Sequence, residues 1–307
     1  MVDKVETIWM DGKLVPWDEA KIHVLTHSLH YGFAGFEGIR CYPQEGGGGA
    51  IFRLREHIKR LFNTAHICMI KIPFTIDEIV DACVEVVRAN NLQEGCYIRP
   101  LVFIGEGAMG ISGTDNPVRV SIAAWRWGAY LGEDGVKNGI RCKVSSYRRP
   151  RSDTVLAKGK ISGQYVNSIL AKREALNAGY EEGIMLDAQG FVCEGTGENA
   201  FMVEAGRVRT PDVGEAILAG ITRESVIKIL QDEKVPVIPG PFTRDELYCA
   251  DEIFLCGTAA EVTPVREVDD RTIGNGKPGP ITQRLQQRYS DIVRGKDDVF
   301  KEWLTPV

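Results

Sequence analysis

The amino-acid sequence predicts a mixed α/β chain that folds as two domains. A chain of 307 residues is long enough to divide its apolar residues between two cores. Short apolar strand patterns alternate with amphipathic helix patterns along the sequence. Around residues 126–138 the composition changes to aromatic residues spaced by glycines. We therefore expect an N-terminal α+β domain over residues 1–125, an interdomain loop over 126–138 and a C-terminal domain over 139–307.

The elements of the N-terminal domain follow from turn, capping and periodicity signals. Asp11-Gly12 is typical of a two-residue hairpin turn, and Thr75 with Glu78 forms a capping box. Arg60 lies off the apolar stripe of its helix, so periodicity gives it no special role. The predicted elements are a hairpin over 8–15, strands over 38–42 and 50–53, helices over 54–67 and 74–91, and strands over 97–104 and 118–125.

The C-terminal domain mixes short strands with helices in the same way. Gly179 is typical of a helix C-cap, Thr222 of a helix N-cap and Pro280 of a helix start. The predicted elements are strands over 141–147, 183–187, 191–193, 200–203 and 252–256, helices over 165–178 and 222–230, a short helix after Thr243, and a terminal helix over 280–295.

The composition excludes several classes of protein. Hydrophobic residues make up 44% and charged residues 26%, which is typical of a soluble globular protein. A net charge of −5 argues against a nucleic-acid partner. No apolar run approaches the roughly 18 residues of a membrane helix, and the N-terminus lacks a signal-peptide pattern. The eight cysteines form no C-x-x-C pair, so we expect core thiols, no metal site and a cytoplasmic location.

Lys160, Tyr165 and Glu194 have the residue types that an aromatic aldehyde cofactor requires. A lysine amine condenses with an aldehyde, a tyrosine five residues later would hydrogen-bond the ring oxygen, and a carboxylate 34 residues later would pair with a protonated ring nitrogen. The spacing alone leaves an ordinary solvated loop as the alternative. It also leaves Lys158 as a rival for the same role.

Two further features are open to a functional and a structural interpretation. The predicted helix start at Thr222 offers N–H groups, a positive dipole end and a hydroxyl to a phosphate, although an ordinary N-cap explains it equally simply. Arg99 lies mid-strand among apolar residues, on the same strand face as Tyr97. Burying its charge requires an anion, which is either a substrate carboxylate or an internal Asp or Glu.

Several motifs in the same order resemble those of a known family. K-x-x-G-x-Y at Lys160 is followed by E-G-x-x-E-N at Glu194. This pair resembles the fold-type IV pyridoxal phosphate enzymes, which share the two-domain D-amino acid aminotransferase-like fold. Over residues 8–287, additional motifs resemble the branched-chain amino acid aminotransferases: HYGFAGFEGIR, YIRPLVF, WGAYLG, LAGITRE and GTAAEVTPV.

The resemblance implies pyridoxal 5'-phosphate as the cofactor. It selects Lys160 over Lys158 as the Schiff-base lysine and proton carrier, because the family places the lysine five residues before the tyrosine. The implied cofactor-binding residues are Arg60, Lys160, Tyr165, Glu194, Ile221, Thr222, Gly257 and Thr258.

The resemblance also implies amino acid and 2-oxo acid substrates, with the amino group passing between leucine, isoleucine or valine and 2-oxoglutarate in a ping-pong reaction. The implied substrate-binding residues are Tyr31, Phe36, Gly38, Tyr97, Arg99, Trp127, Tyr130, Thr258 and Ala259. Arg99 would bind the α-carboxylate, and three aromatic residues would form an apolar side-chain pocket: Phe36, Trp127 and Tyr130. Tyr31 would serve the neighbouring subunit's site, so a homodimer or higher homo-oligomer is expected.

Other functions remain open on the same motifs. The fold also supports a D-amino acid aminotransferase or an aminodeoxychorismate lyase, but the Tyr-Ile-Arg and Trp-Gly-Ala-Tyr motifs favour the branched-chain enzyme. A protein that binds a vitamin B6 phosphate without turnover is a third alternative. The presence of Lys160, Tyr165, Glu194 and Arg99 together argues against it.

Overall fold

The structure is a computed structural model that describes residues 2–128 and 130–307. Met1 and Ala129 lie outside the described residues, and Ala129 falls within the WGAYLG motif and the predicted interdomain loop. The chain divides into two compact units. The first consists of the described residues of Met1–Trp127 with Gly159–Gln164 and Ile292–Val307, and the second consists of those of Gly128–Lys158 and Tyr165–Asp291.

This division differs from the predicted domains in two segments. Gly159–Gln164, which contains Lys160, and Ile292–Val307 both cluster with the first unit. Both were predicted to lie in the C-terminal domain, because chain order alone does not reveal segments that return to the first sheet.

The first unit is a sheet covered by helices. Its strands are β1 (Thr7–Met10), β2 (Lys13–Pro16), β3 (Ala34–Phe36), β4 (Ile39–Pro43), β5 (Gly49–Phe52), β6 (Cys96–Ile104), β7 (Val118–Trp125) and β17 (Leu304–Pro306). They run in the order β17-β5-β4-β6-β7-β1-β2, with β3 pairing with β6. The helices are α1 (His27–Tyr31), α2 (Leu54–Ile67) and α3 (Ile76–Ala89), with short 3-10 helices at Trp17–Glu19, Ser162–Gln164 and Lys301–Trp303.

Most of the N-terminal prediction is confirmed. The hairpin forms with Met10 opposite Lys13, and α2 has the predicted bounds. Both bonds of the capping box form, from Glu78 N to Thr75 Oγ1 at 3.2 Å and from Thr75 N to Glu78 Oε2 at 2.7 Å. The core between helices and sheet consists of fully buried aliphatic side chains, among them Ile39, Ile51, Leu54, Ile58, Leu61, Ile79, Val86 and Ile98.

The second unit contains a barrel-like sheet. Its strands are β8 (Ile140–Val144), β9 (Glu182–Leu186), β10 (Val192–Gly195), β11 (Asn199–Glu204), β12 (Arg207–Thr210), β13 (Val237–Pro239), β14 (Glu252–Gly257), β15 (Glu261–Val268) and β16 (Arg271–Thr272). They run in the order β10-β9-β8-β15-β14-β11-β12-β13. Strand β16 pairs with β15, and an additional pairing of β10 with β11 closes the strands from β10 to β11 into a ring. The helices are α4 (Glu133–Asn138), α5 (Tyr165–Asn177), α6 (Ile221–Asp232), α7 (Arg244–Tyr248) and α8 (Pro280–Val293).

The predicted mixed α+β fold is confirmed, with one corrected boundary and several missed elements. Thr222 is not the N-cap of α6, because Gly220 is the N-cap and the helix already begins at Ile221. The long strand β15 was missed because Pro264 and charged residues interrupt its apolar pattern. All eight cysteines are free, and seven of them are buried. No helix within residues 2–128 and 130–307 is long and apolar enough to cross a membrane.

Candidate active site

The backbone of Lys160 is fixed from two sides within the first unit. Its amide donates to Thr64 Oγ1 at 3.0 Å, and its carbonyl accepts from the Phe36 amide at 3.1 Å. The Lys160 ammonium lies 5.0 Å from the centre of the Phe36 ring. The Phe36 ring at the end of β3 therefore packs against the amine of the lysine that the sequence motif indicates.

Arg99 on β6 faces the same ring. Its guanidinium lies 4.7 Å from the centre of Phe36 and 5.2 Å from that of Tyr97, and one Nη donates to the Tyr97 hydroxyl at 3.2 Å. Its Nε is buried and has no hydrogen-bond partner within residues 2–128 and 130–307. Among the described residues no carboxylate pairs with Arg99, so the internal ion pair that the sequence left open does not form there. A buried guanidinium with an unpartnered N–H suits an anionic ligand.

Gly38 and Trp127 pack against Tyr97 from different directions. A Cβ atom at Gly38 would lie 1.8 Å from the Tyr97 hydroxyl, so only glycine fits at this position. The Trp127 ring meets Tyr97 edge-on, with centroids 4.6 Å apart. Phe36 and Tyr97 thus contact Arg99, and Gly38 and Trp127 pack against Tyr97.

Arg60 on α2 is held by Glu37, a fully buried residue that lies between Phe36 and Gly38 in sequence. Glu37 accepts from Arg60 Nε at 2.7 Å and from an Arg60 Nη at 2.9 Å, and from His57 Nδ1 at 2.7 Å. Burial alone would raise the pKa of Glu37, but the positive charge of Arg60 and the hydrogen bonds from Arg60 and His57 hold it well below its usual range. Burial lowers the pKa of His57, so the neutral imidazole donates to an ionised carboxylate.

Tyr31 lies at the end of α1 and is half-exposed. Its hydroxyl donates to the Met109 carbonyl at 2.7 Å, and its ring contacts His27 with centroids 4.6 Å apart. These contacts fasten α1 to the loop that follows β6 rather than to the residues around Arg99.

Glu194 is the central carboxylate of the candidate site in the second unit. It is on β10, directly opposite Asn199 of β11, and its side chain is 9% exposed. Arg149 Nε lies 3.0 Å from Oε1, while Asn199 Nδ2 at 3.3 Å and the Leu218 amide at 3.2 Å donate to Oε2. These donors satisfy both oxygens of the buried carboxylate.

The strand ends beside Glu194 carry the predicted phosphate-binding residues. Asn199 pairs with Glu194 on one side and with Cys256 on the other, so the ends of β10 and β14 are near neighbours. Gly257 pairs with Glu261, which leaves Thr258 and Ala259 in the tight turn between β14 and β15. The N-cap of α6 is Gly220, and the first two residues of the helix, Ile221 and Thr222, are buried. The N-terminus of a helix presents backbone amides and a positive dipole end, which suit an anion.

Lys158 and Lys160 have different surroundings. The Lys158 ammonium donates to two backbone carbonyls, Glu215 O at 2.9 Å and Ile217 O at 3.0 Å, and burial lowers its pKa. Its amine is thereby committed to the segment before α6. This observation supports the selection of Lys160.

Tyr165 and Tyr130 belong to the second unit. Tyr165 is the first residue of α5, as predicted, and is partly buried. Tyr130 is partly exposed, and its ring centre lies 5.4 Å from the Lys172 ammonium.

Two further buried acidic residues, Glu182 and Glu198, interact with each other near Glu194. Glu182 accepts from Lys172 Nζ and Thr196 Oγ1, both at 2.6 Å. Burial raises the pKa of Glu198 to about 8, and the Glu182 charge acts in the same direction. Glu198 is therefore mainly protonated at neutral pH, next to a Glu182 that is ion-paired.

Sequence reasoning missed the partners of the predicted residues. Glu37 lies inside the quoted motif HYGFAGFEGIR, and its charge among apolar residues was an available signal. Arg149 lies in a basic run and gave no signal, because its partner Glu194 is 45 positions away in sequence. The role of Asn199 depends on strand register, which no local pattern reveals.

Comparison with known proteins identifies the family. The profile of the family "Amino-transferase class IV" matches residues 34–268. A branched-chain-amino-acid aminotransferase of Pseudomonas aeruginosa is 48% identical, and the alignment covers 100% of this chain and 99% of that protein. The crystal structure of the Escherichia coli branched-chain amino acid aminotransferase has a TM-score of 0.96 at 43% identity, covering 98% of this chain and 99% of that one.

A second solved structure is similar over the same length. The branched-chain amino acid aminotransferase from Thermobaculum terrenum, solved in its PLP-form, has a TM-score of 0.92 at 35% identity, covering 99% of this chain and 98% of that one. With this family match and these full-length relatives, the chain belongs to the class IV aminotransferases.

Proposed function

We propose that the protein is a branched-chain amino acid aminotransferase that uses pyridoxal 5'-phosphate. The observation that carries the proposal is the Phe36 ring, which lies 5.0 Å from the Lys160 ammonium and 4.7 Å from the Arg99 guanidinium. An amine for the reaction and a cation for the substrate carboxylate thus share one apolar surface. The names of the full-length relatives support the substrate class.

The residues present fit the cofactor. Glu194, a buried carboxylate that pairs with Arg149 and accepts from Asn199 and Leu218, suits a protonated ring nitrogen, and the N-terminus of α6 suits a phosphate. We propose that Tyr165, Glu194, Ile221, Thr222, Gly257 and Thr258 bind the cofactor together with Lys160 and Arg60. When bound, pyridoxal phosphate supplies an aldehyde that condenses with amines and a ring that accepts electrons released at the substrate Cα.

The chain itself supplies acid–base groups and orientation. The Lys160 amine attaches the cofactor and, once the substrate displaces it, carries the proton removed from the substrate Cα. The Glu194 carboxylate holds a proton on the ring nitrogen. Arg60 supplies a positive charge to the phosphate, and its orientation is fixed by the two hydrogen bonds it donates to Glu37.

Substrate recognition divides between a shared group and a variable one. Every amino donor has an α-carboxylate, which the unpartnered Nε of Arg99 and the Tyr97 hydroxyl are suited to bind. We propose that Phe36, Trp127 and Tyr130 contact the side chain of leucine, isoleucine or valine. The same pocket admits glutamate, since the amino group passes on to 2-oxoglutarate.

We further propose that the protein is a homodimer or a larger homo-oligomer. Large apolar side chains are exposed together along one stretch that includes α1: Ile22, Val24, Leu25, Leu29 and Tyr31. Clustered exposed apolar residues are typical of subunit interfaces. This surface would bring Tyr31 to the neighbouring subunit.

A cytoplasmic location is proposed from the thiols. All eight cysteines are free, and seven are buried as small core side chains. A reducing compartment keeps such thiols free.

The proposed function is tested by comparing three substrates. L-leucine with 2-oxoglutarate, D-alanine with 2-oxoglutarate, and aminodeoxychorismate are each incubated with the protein and pyridoxal phosphate. We expect glutamate formation from L-leucine to exceed turnover of the other two. Pyruvate from D-alanine or from aminodeoxychorismate as the main product would overturn the assignment, and no product in any assay would leave only cofactor binding.

A further inference from the structure

Asn199 links several parts of the candidate cofactor site in the second unit. Its side chain is buried, with the residue 6% exposed. The amide Nδ2 donates to Glu194 Oε2 at 3.3 Å and to the Leu218 carbonyl at 3.0 Å. Leu218 in turn donates its own amide to Glu194 Oε2 at 3.2 Å. One amide group thus joins the carboxylate to the segment that leads into α6.

The oxygen of the same amide lies against the N-cap of α6. A Cβ atom at Gly220 would lie 2.0 Å from Asn199 Oδ1. Gly220 has φ −68° and ψ 133°, an extended conformation that any residue can adopt. The backbone conformation therefore does not require glycine at position 220. Glycine is required because Asn199 Oδ1 occupies the space that a Cβ atom would need.

The strand register holds Asn199 in this position. It is opposite Glu194 on β10 and opposite Cys256 on β14, so the backbone on both sides is paired. The Asn199 backbone cannot move toward the carboxylate or toward α6 without disturbing two strand pairings. The separation of Glu194 from the α6 N-terminus is consequently set through this residue.

We propose that Asn199 is a positioning residue that sets the distance between the Glu194 carboxylate and the N-terminus of α6. The inference rests on the proposed function, because a ligand with a basic ring nitrogen at one end and a phosphate at the other uses both groups at once. When the distance between Glu194 and the α6 N-terminus is fixed, a ligand bound at one of its ends can bind at the other without further ordering of the protein.

The test compares two ligands on the apoprotein without any amino donor. Pyridoxal phosphate carries both ends, whereas pyridoxal lacks the phosphate, so the ratio of their Kd values measures the advantage of the phosphate. In Asn199→Ser we expect that advantage to fall about tenfold, because the two ends are no longer held at the matching distance. A merely structural role would weaken both ligands by the same factor and leave the ratio unchanged.

Gly220→Ala tests the same contact from the other side. The added methyl group clashes with Asn199 Oδ1, so the variant alone should also lower the pyridoxal phosphate advantage. In the double variant with Asn199→Ser the clash is relieved, and the two effects should be clearly less than additive. If Asn199→Ser does not fold, the ratio of the two Kd values in Gly220→Ala tests the proposed role of Asn199 by itself.

Asn90→Ser is the matched control. Asn90 also donates two amide hydrogen bonds to carbonyls, Thr7 O at 3.0 Å and Val86 O at 2.8 Å, but neither carbonyl belongs to a predicted site residue. Its Kd ratio should equal that of the wild type. A wild-type protein that binds neither ligand would overturn the proposed function. Wild-type binding of both, with an unchanged ratio in Asn199→Ser and Gly220→Ala, would overturn the role of Asn199 alone.

Discussion

The Glu37 carboxylate forms a two-pronged ion pair with Arg60, with N–O distances of 2.7 and 2.9 Å, at a position with no solvent exposure. Removing one member of a buried pair leaves the other charge without compensation, which is far more costly than losing an exposed pair. Because Arg60 is also proposed to bind the cofactor phosphate, the loss of Glu37 should affect both the stability of the protein and the orientation of a cofactor-binding residue.

Glu37→Gln should therefore destabilise the protein by about 3–5 kcal/mol, measured by urea unfolding at neutral pH. Asp77→Asn is the control, because Asp77 pairs with Arg55 of α2 at 2.6 Å while both side chains remain more than half exposed. The control should change the free energy of unfolding by less than about 1 kcal/mol. Equal stability of Glu37→Gln and the wild type would contradict the importance of the pair.

The Glu37 carboxylate should also affect stability in acid. Because its folded pKa lies below the ordinary value of 4.5, its contribution is present above that pH and is lost as the pH falls toward the folded pKa. Unfolding curves between about pH 3 and 5 should thus fall more steeply for the wild type than for Glu37→Gln.

Glu198 should have the opposite pH dependence. Its folded pKa is raised to about 8, so the folded state holds a proton that the unfolded state releases near 4.5. The resulting stability is fully present below pH 4.5 and is lost as the pH rises to about 8. In Glu198→Gln the urea midpoint should decline less across this window, and a decline as steep as that of the wild type would count against a protonated Glu198.

The two neighbouring lysines should be distinguishable by absorbance. Lys160→Ala should lose the near-visible band of the attached cofactor and nearly all turnover, because one amine both binds the cofactor and carries the proton. Lys158→Ala should keep the band and the turnover, since the Lys158 ammonium donates to Glu215 O and Ile217 O. Loss of the band in the Lys158 variant instead would reverse the assignment.

Arg99→Lys should separate carboxylate binding from side-chain selection. Lysine keeps the charge but lacks the planar fork that matches a carboxylate, so kcat/KM for leucine and glutamate should fall by similar factors. Substitutions at Trp127 or Tyr130 should instead alter the ratio of kcat/KM for leucine to kcat/KM for glutamate. The Kd of the cofactor should not change in Arg99→Lys. A loss confined to glutamate would show that Arg99 recognises the distal carboxylate.

The sequence predicted the helices and most strands well because they carry local signals. The capping box at Thr75 and the apolar stripe of α2 are examples that need no long-range information. Strand β15 was missed because Pro264 weakened its apolar pattern. The N-cap of α6 was misplaced because Gly220 has no side chain that marks a cap.

The residues proposed to act directly stand in motifs that the sequence shows. Lys160, Tyr165, Glu194 and Arg99 are of this kind, whereas the groups that contact such residues come from other elements. Glu37 orients Arg60 across 23 positions of sequence, and Asn199 acts through a strand register that only the folded sheet establishes. Pairings of this kind depend on the fold and cannot be derived from spacing.

The visible absorbance spectrum of the purified protein, with pyridoxal phosphate and before and after addition of L-leucine, tests the proposed function most directly. We expect the near-visible band to disappear with L-leucine in the absence of any oxo acid, with release of 4-methyl-2-oxopentanoate. Addition of 2-oxoglutarate should then restore the band and form glutamate. A spectrum unchanged by L-leucine, or one that responds to D-alanine instead, would contradict a branched-chain amino acid aminotransferase.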